Sequence, residues 1–455
     1  MPLLLLPYAT TTQALSATTA QVIHGTEPYL TFDNGVTRVT TTDGLLGIKL
    51  SNGTRFTPAT NTSTASNPIV LPEVNQSFAD IAMSIPTNTN SIALSALIGA
   101  PYNYWGDDDG DGQGTNGVTA TGDLRVSITD KDNQVVSRSA TLNLCKAPYK
   151  VALTSTAGSL TTQYGLPNSS SFSGGTATYY ISPKAGPTIC YARPNLGRGT
   201  GIYAGPATIW NPTKGFLVQS TEPSSYSRNF PTTGANNLYF DLDIGGVNGS
   251  ALTWPTVSQG GITATMTPSP DNANNIRVTL TGPLATASQQ SSATPGRIAR
   301  PTLPQTFVIV GKDSSNNEVV RYGFVLKRWF VNRGDKKDNL ANTSSWCRSL
   351  GGGYRLPQVK DLTNAVCFGT SSGSWCQGAV GATPSSRGNT YQRNIGAGLF
   401  TEWGGLSVYT AAGFVIDGNW TSDSSGSYQF FVYSGTGYVD SHYPYNSFGG
   451  VCAYP

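Results

Sequence analysis

Residues 124–129 read Leu-Arg-Val-Ser-Ile-Thr, apolar and polar in strict alternation. Strand side chains point to opposite faces with a period of two, so this run is a strand with one face in a core. The same grammar fills the chain as far as residue 304. Residues 29–32, 92–98, 151–154, 177–181, 238–244 and 276–280 are short apolar or alternating runs separated by Gly, Asn, Asp and Pro. Asp130-Lys131-Asp132-Asn133 reads as a turn into Gln134-Val135-Val136, closing a hairpin. A helical bundle over residues 21–300 is excluded by this period.

A chain of 455 residues is too long for one core, so several domains are expected. The pattern places β-sandwich domains of immunoglobulin-like size at 21–147 and 148–304. Residues 285–304, polar and Pro-bearing, read as the exit of the second. Charged residues are only 12%, yet Tyr (22), Phe (16) and Trp (8) are plentiful, which excludes a disordered chain. That profile fits an all-β secreted or surface protein. Residues 1–20 resemble a secretory leader, with an apolar run at 3–6 and small residues Ala14 and Ser16 at cleavage spacing, but without a basic start. No apolar run long enough for a transmembrane helix follows, and no long series of alternating strands suggests a membrane barrel.

Helix signals are expected only in the final module, 305–455. Residues 306–310 and 322–331 read as paired strands. A helix is expected over 338–350, capped by Asp338 and stopped by Gly351, and another over 357–366 with Pro357 in its first turn. Trp346, Leu350, Val359, Leu362 and Val366 are expected in the core. The net charge of +3 is too small to imply nucleic acid. From Arg321 onward there are 11 Lys/Arg against 7 Asp/Glu. Arg328, Arg333, Lys336 and Lys337 supply much of this excess, which reads as a solvated face, with an acidic partner as the alternative. The six cysteines form no CxxC pair and there are only two histidines, so disulfides in an oxidising compartment fit better than zinc. Their pairing is open, since six cysteines allow 15 connectivities.

Several strings carry a family resemblance: 45–48 (Leu-Leu-Gly-Ile), 101–112, 322–326, 329–334, 354–357 and 378–384. They resemble the invasin E-type adhesion domain of enterobacterial adhesins, within the intimin/invasin group, nearly end to end. The Trp346-Cys347 segment, the Leu356-Pro357 step, Trp420-Thr421-Ser422-Asp423 and the closing Cys452 resemble the bacterial C-type lectin-like fold. The fold class implied is mainly β, two Ig-like sandwiches followed by an α+β C-type lectin-like domain. Chain position and this resemblance favour disulfides Cys145–Cys190, Cys347–Cys452 and Cys367–Cys376. The resemblance implies attachment to a host surface. It gives no receptor and no binding residues to carry over. A full inverse autotransporter of this group has its own membrane barrel, which this chain does not show.

Asp107-Asp108-Asp109-Gly110-Asp111-Gly112 fits the start of a calcium loop, with alternate carboxylates at 107, 109 and 111 converging on a hard cation. Val118 stands where the closing Glu belongs, so Gln113 or a distant acid would complete a structural Ca²⁺ site. An acidic solvated turn is the alternative, and no cofactor is required. Calcium-dependent sugar binding is not expected, because Trp420 lacks the Asn-Asp that follows in such lectins and Glu-Pro-Asn is absent; Trp420 reads as core. Aromatics are dense between 404 and 448, Tyr428 among them. Tyr438, Tyr443, Tyr445 and Asn446 are the candidate receptor-binding residues, because exposed Tyr with Ser, Gly and Asn is what recognition surfaces use. Packing of these rings on their own domain is the competing view. Asp440-Ser441-His442 has the residue types of a catalytic triad, but neighbours in sequence do not give triad geometry. No nucleophile elbow, zinc-protease motif or phosphate loop occurs. The chain is therefore expected to be a non-catalytic adhesin, secreted or outer-membrane-associated, that binds a host-cell protein or glycan. A secreted glycan-processing hydrolase and a structural spacer are the alternatives.

Overall fold

The computed structural model of the chain describes residues 24–33, 35–110, 117–369 and 371–455. The expected leader at 1–20 lies outside the described residues. The fold is mainly β, and it divides into two compact units, Met1–Lys184 and Ala185–Pro455.

The first unit is built on a five-stranded sheet in the order Ile69–Val70, Gly175–Ser182, Tyr149–Ser155, Asp123–Thr129, Ser91–Ala93. Alternation decides its faces: Leu124, Val126 and Ile128 are buried while Arg125 and Ser127 are exposed. Tyr149, Leu153 and Tyr179 of the neighbouring strands bury on the same face, and Leu46 and Phe78 belong to the same core; the Tyr179 hydroxyl donates to the Leu46 carbonyl (2.7 Å). The turn after Thr129 forms as expected. The Asp130 carboxylate accepts from the amides of Asp132 (3.0 Å) and Gln134 (2.8 Å), and Asn133 takes the left-handed conformation (φ 60°). Asn tolerates that region well.

Two expectations fail here. Residues 92–98 are not one strand: Ser91–Ala93 pairs with Asp123–Thr129, and Ser95–Ile98 is a helical turn that buries Leu97 and Ile98. A short apolar run does not distinguish the two by period alone. A domain boundary at 147/148 is also not what forms. Tyr149–Ser155 pairs with Asp123–Thr129 from Thr129↔Lys150 to Leu124↔Ser155, so the strands either side of that point share one sheet.

The second unit holds a seven-stranded sheet in the order Trp210–Asn211, Gly215–Leu217, Thr188–Arg193, Leu238–Gly245, Ile276–Thr281, Ile262–Pro268, Val257–Gln259. Gln305–Lys312 and Glu318–Leu326 form a long hairpin, with the Phe307 and Phe324 rings stacked at 5.3 Å. The strand expected over 322–331 breaks at Lys327, because Arg328–Asn332 leaves for another sheet. There it pairs in parallel with Thr233–Ala235 and antiparallel with Val451–Tyr454. That sheet joins residues on either side of 304/305, and one apolar core runs from Ile189 to Ala453, so no division falls there.

The helices are shorter than expected. Leu340–Ser349 is capped by Asn339, whose side chain accepts from the Asn342 amide (2.9 Å), while Asp338 binds the Asn339 amide instead. Only Val359–Leu362 is helical in 357–366. Beyond it the chain extends because the buried Asn364 is held elsewhere, its amide nitrogen donating to the carbonyls of Pro384 and Gln392 (both 2.9 Å). Trp346, Leu350, Val359 and Leu362 are fully buried, and Val366 is half-buried.

Residues 285–304 are not a free linker. Ala287–Ser291 is helical, and its Gln289 carbonyl accepts from the Trp346 indole (2.9 Å). The Ala299 carbonyl accepts from the Tyr354 hydroxyl (2.7 Å). The device recurs. Buried Trp210, Trp329, Trp403 and Trp420 donate their indole N–H groups to the carbonyls of Gly199, Pro283, Thr233 and Asp338, at 2.8–3.0 Å. A large ring fills the core while its one polar atom holds the backbone of another segment.

Candidate functional site

The strands Tyr428–Tyr433 and Val439–His442 pair from Gln429↔His442 to Val432↔Val439. The middle of the first strand, Phe430 to Val432, is buried on both faces, and its end residues Tyr428 and Tyr433 are exposed. An aromatic ladder stands at the Tyr428 end. The rings of Tyr428 and Tyr443 lie 4.6 Å apart, and those of Tyr443 and Tyr445 stack at 5.3 Å with 7° between their planes. The Tyr428 hydroxyl donates to that of Tyr443 (3.1 Å), and this bond raises the Tyr428 phenol above its ordinary range. Tyr428, Tyr443 and Tyr445 are 42%, 38% and 73% exposed.

The loop that carries the ladder is anchored. The Asn446 amide donates to the Tyr443 carbonyl (3.0 Å), closing a turn, and the Tyr443 amide donates to His442 Nδ1 (2.9 Å). The Leu340 amide, at the start of the helix, donates to the Pro444 carbonyl (3.0 Å). Phe448 and Asp338 exchange backbone bonds in both directions, and Phe448 stacks on buried Phe431 (4.0 Å). Cys347 in the helix is bonded to Cys452 on the last strand, with Cα atoms 5.5 Å apart. Cys367 is bonded to Cys376, and Cys145 and Cys190 are also disulfide-bonded.

Of the four candidate receptor residues, Tyr443, Tyr445 and Asn446 come together. Tyr438 does not join them. It precedes the strand whose far end Tyr443 follows, is half-buried, and packs on Tyr433 (5.8 Å) with burial as the chief cause of its raised phenol. Tyr428 completes the ladder, and its place among the dense aromatics is the only signal it gives in sequence. Asp440, Ser441 and His442 do not form a triad. Burial raises the Asp440 carboxyl, which accepts from the Ser441 amide (2.7 Å), while His442 Nδ1 takes the Tyr443 amide.

For the acidic loop, Asp107 and Asp109 are among the described residues and Asp111 and Gln113 lie outside them. Asp108 forms an ion pair with Arg38 and accepts from the Tyr29 hydroxyl (2.8 Å), and Asp109 accepts from the Thr26 amide. Among the described residues no group of three His, Cys, Asp or Glu side chains is placed to hold a metal. Trp420, expected in the core, is fully buried.

A cleft of about 340 Å³ in the second unit contains two carboxylates, Asp241 and Asp271. Asp241 is bound by both arms of Arg277 (2.8 and 3.0 Å) and by Ser269 (2.6 Å). Asp271 pairs with Arg193 (3.2 Å) and Arg277 (3.4 Å). The cleft is an ion-pair network. Glu402, unremarkable in sequence, is fully buried and binds the amides and hydroxyls of Thr232 and Thr233 and the Gly396 amide, at 2.6–3.1 Å. It staples the Leu399–Trp403 helix to the Thr233–Ala235 strand.

No protein-family model matches the chain, and no curated protein matches it. Solved structures similar to it include invasin, described as a bacterial integrin-binding protein, at 15% identity over 75% of this chain with a TM-score of 0.35. The chain spans about half (52%) of that invasin structure. A C-terminal fragment of intimin in complex with the intimin-binding domain of its translocated receptor is 11% identical, covers 76% of this chain and 95% of its own, and has a TM-score of 0.32. An intimin mutant from EHEC O157:H7 is 14% identical, covers 50% and 89%, and has a TM-score of 0.27. No described helix is long and apolar enough to cross a membrane.

Proposed function

We propose that this chain is a non-catalytic bacterial surface adhesin that contacts a host-cell receptor, protein or glycan, through the Tyr428–Tyr443–Tyr445 ladder. The observation that carries this reading is the ladder itself: three rings in series, exposed, on a loop held by backbone bonds and close to a disulfide-bonded strand. Tyrosine offers a large amphipathic contact with few torsions to freeze, so a preformed array suits recognition at low entropic cost. The motif strings at 101–112, 329–334 and 354–357, which resemble the invasin E-type adhesion domain, support the word adhesin. In this account the first unit's sheets are Ig-like and the last 150 or so residues, from 305 on, are the lectin-like end of the second unit. A Ca²⁺ held by Asp107, Asp109, Asp111 and Gln113 would be structural.

The test uses the fluorescently labelled full chain in saturation binding to cultured mammalian cells. Changing Tyr443 and Tyr445 together to Ala is expected to weaken binding by at least about tenfold, since truncating a central aromatic contact costs about 1 kcal/mol or more. The melting temperature should stay that of the wild type, because both rings are exposed. Unchanged binding by the double variant would overturn the assignment.

A further inference from the structure

The basic residues that stand out in the C-terminal sequence are mostly paired within the molecule. Arg328 binds buried Asp361 (3.0 Å), Arg333 binds Asp338 (3.4 Å), and Lys337 binds Asp417. Some of the unmatched positive charge gathers around the turn that follows the Leu340–Ser349 helix. Arg348, in the helix's last turn, donates to the Ser344 hydroxyl (2.7 Å). Gly351 and Gly352 follow in left-handed conformations (φ 74° and 63°), and the stems of Arg297 and Arg300 lie across them. A Cβ on Gly351 would meet Arg297 Cγ at 2.8 Å. Arg355 then forms a wall shared by two clefts. One, of about 450 Å³, is lined by Ser344, Arg348, Gln358 and Ser422. The other, of about 330 Å³, is lined by Lys327 and Arg328. Among the described residues, Arg297, Arg300, Lys327 and Arg348 have no carboxylate at ion-pair distance. Arg355 is itself held by Asp361 (2.7 Å), so the shared wall is fixed in place.

Like charges gathered on one surface and left uncompensated create a field that favours an anionic partner. We infer that this surface is a second interaction site, separate from the tyrosine ladder, and that it takes a sulfated glycan chain whose anionic groups lodge in the two clefts on either side of Arg355. Two clefts with cations in each match a ligand with repeated charge. The hydroxyls of Ser344 and Ser422 and the amide of Gln358 suit a sugar backbone. A protein partner would want an apolar anchor pocket, and Leu356, the apolar side chain here, is buried. Single-stranded nucleic acid needs exposed rings to stack upon. The rings nearby, Tyr354 and Tyr454, pack on each other at 5.1 Å, and Tyr354 is buried.

The experiment is fluorescence anisotropy of the full chain with a labelled heparin octasaccharide. The triple variant Arg300→Ser, Lys327→Ser, Arg348→Ser removes three exposed charges that hold no carboxylate, and should weaken binding by at least about tenfold. The charge-matched control Arg228→Ser, Lys336→Ser, Arg387→Ser in the same unit should stay within about twofold. The Tyr443→Ala/Tyr445→Ala variant should bind the octasaccharide as the wild type does, which separates this site from the ladder. Equal losses in both triple variants, no binding by the wild type, or equally tight binding of polyglutamate or an oligothymidylate would overturn the inference.

Discussion

The two units hold their chains in different ways. In the first, irregular segments are tied mainly by short two- and three-stranded sheets and isolated bridges around an aliphatic core, whose buried rings are Phe78, Tyr149, Phe172 and Tyr179. In the second, five fully or nearly fully buried tryptophans organise the core, and each donates its indole N–H to a backbone carbonyl of another segment. The second unit also buries Glu402 and Arg393 without pairing them. Glu402 is bound by neutral donors, while Arg393 donates to the carbonyls of Glu402 (2.9 Å), Asn195 and Gly197 and stacks over Trp210. A buried charge kept by directed hydrogen bonds tolerates little displacement of its partners. The lesson is that a long irregular chain can be fixed without added strands if its carbonyls are bonded by side chains rooted in the core. That is what a loop carrying a preformed binding surface requires.

The strongest attack on this contrast is the disulfide. Replacing Cys347 and Cys452 with Ser opens a loop of 105 residues and should cost about 4–5 kcal/mol by the chain-entropy estimate. In calorimetry the second unit's transition should fall steeply while the first unit's stays in place. A shift of both together would show that the units are not independent in stability.

The Glu402 staple comes next. Burial raises its carboxyl above the ordinary value, so the folded state binds that proton more tightly than the unfolded state. Its contribution to stability is therefore present at low pH and is lost as pH rises from the unfolded value of about 4.5 through the folded one. The slope reaches at most about 1.4 kcal/mol per pH unit. In Glu402→Gln that downward slope should vanish, even though the variant is less stable at every pH because an amide N–H₂ now faces donors. Chemical denaturation across the pH range measures it, and an unchanged slope would show that Glu402 titrates normally.

The smallest effect sharpens the comparison most finely. Trp346→Phe keeps a ring in the core but strips the Gln289 carbonyl of its donor, at a cost of about 1–2 kcal/mol. Hydrogen exchange should accelerate within residues 287–301 and leave the first unit's sheet unchanged. Uniform acceleration across the second unit would mean that the indole fills space and does not hold the loop.

Strands were legible wherever alternation was strict. Asp123–Thr129 and Ile276–Thr281 form with the expected residues inside, because strand faces depend on neighbours two positions apart. Pairing was not legible. That Thr233–Ala235 joins Arg328–Asn332, or that Asp123–Thr129 and Tyr149–Ser155 share a sheet across the expected boundary, depends on contacts that no local period encodes. Glu402 sits in Leu-Phe-Thr-Glu-Trp and reads as a surface charge on a short helix. Its donors lie 170 residues away at Thr232 and Thr233. Tyr443 and Tyr445 could be named because their stretch is loop-like in composition, whereas Tyr428 joins them only once the strand register is known. The excess of positive charge was visible, but its location was not, since Arg333 and Lys337 turn out to have carboxylate partners and Arg300 and Lys327 do not.

The central claim is that recognition belongs to the ladder of the second unit and not to exposed aromatics in general. The most direct test compares Tyr445→Ala with Tyr164→Ala, a substitution at a 57% exposed tyrosine of the first unit, by saturation binding of the full chain to mammalian cells. The account predicts a loss of at least about fivefold for Tyr445→Ala, equivalent to about 1 kcal/mol, and no change for Tyr164→Ala. Equal losses in the two variants, or a loss in Tyr164→Ala alone, would contradict it.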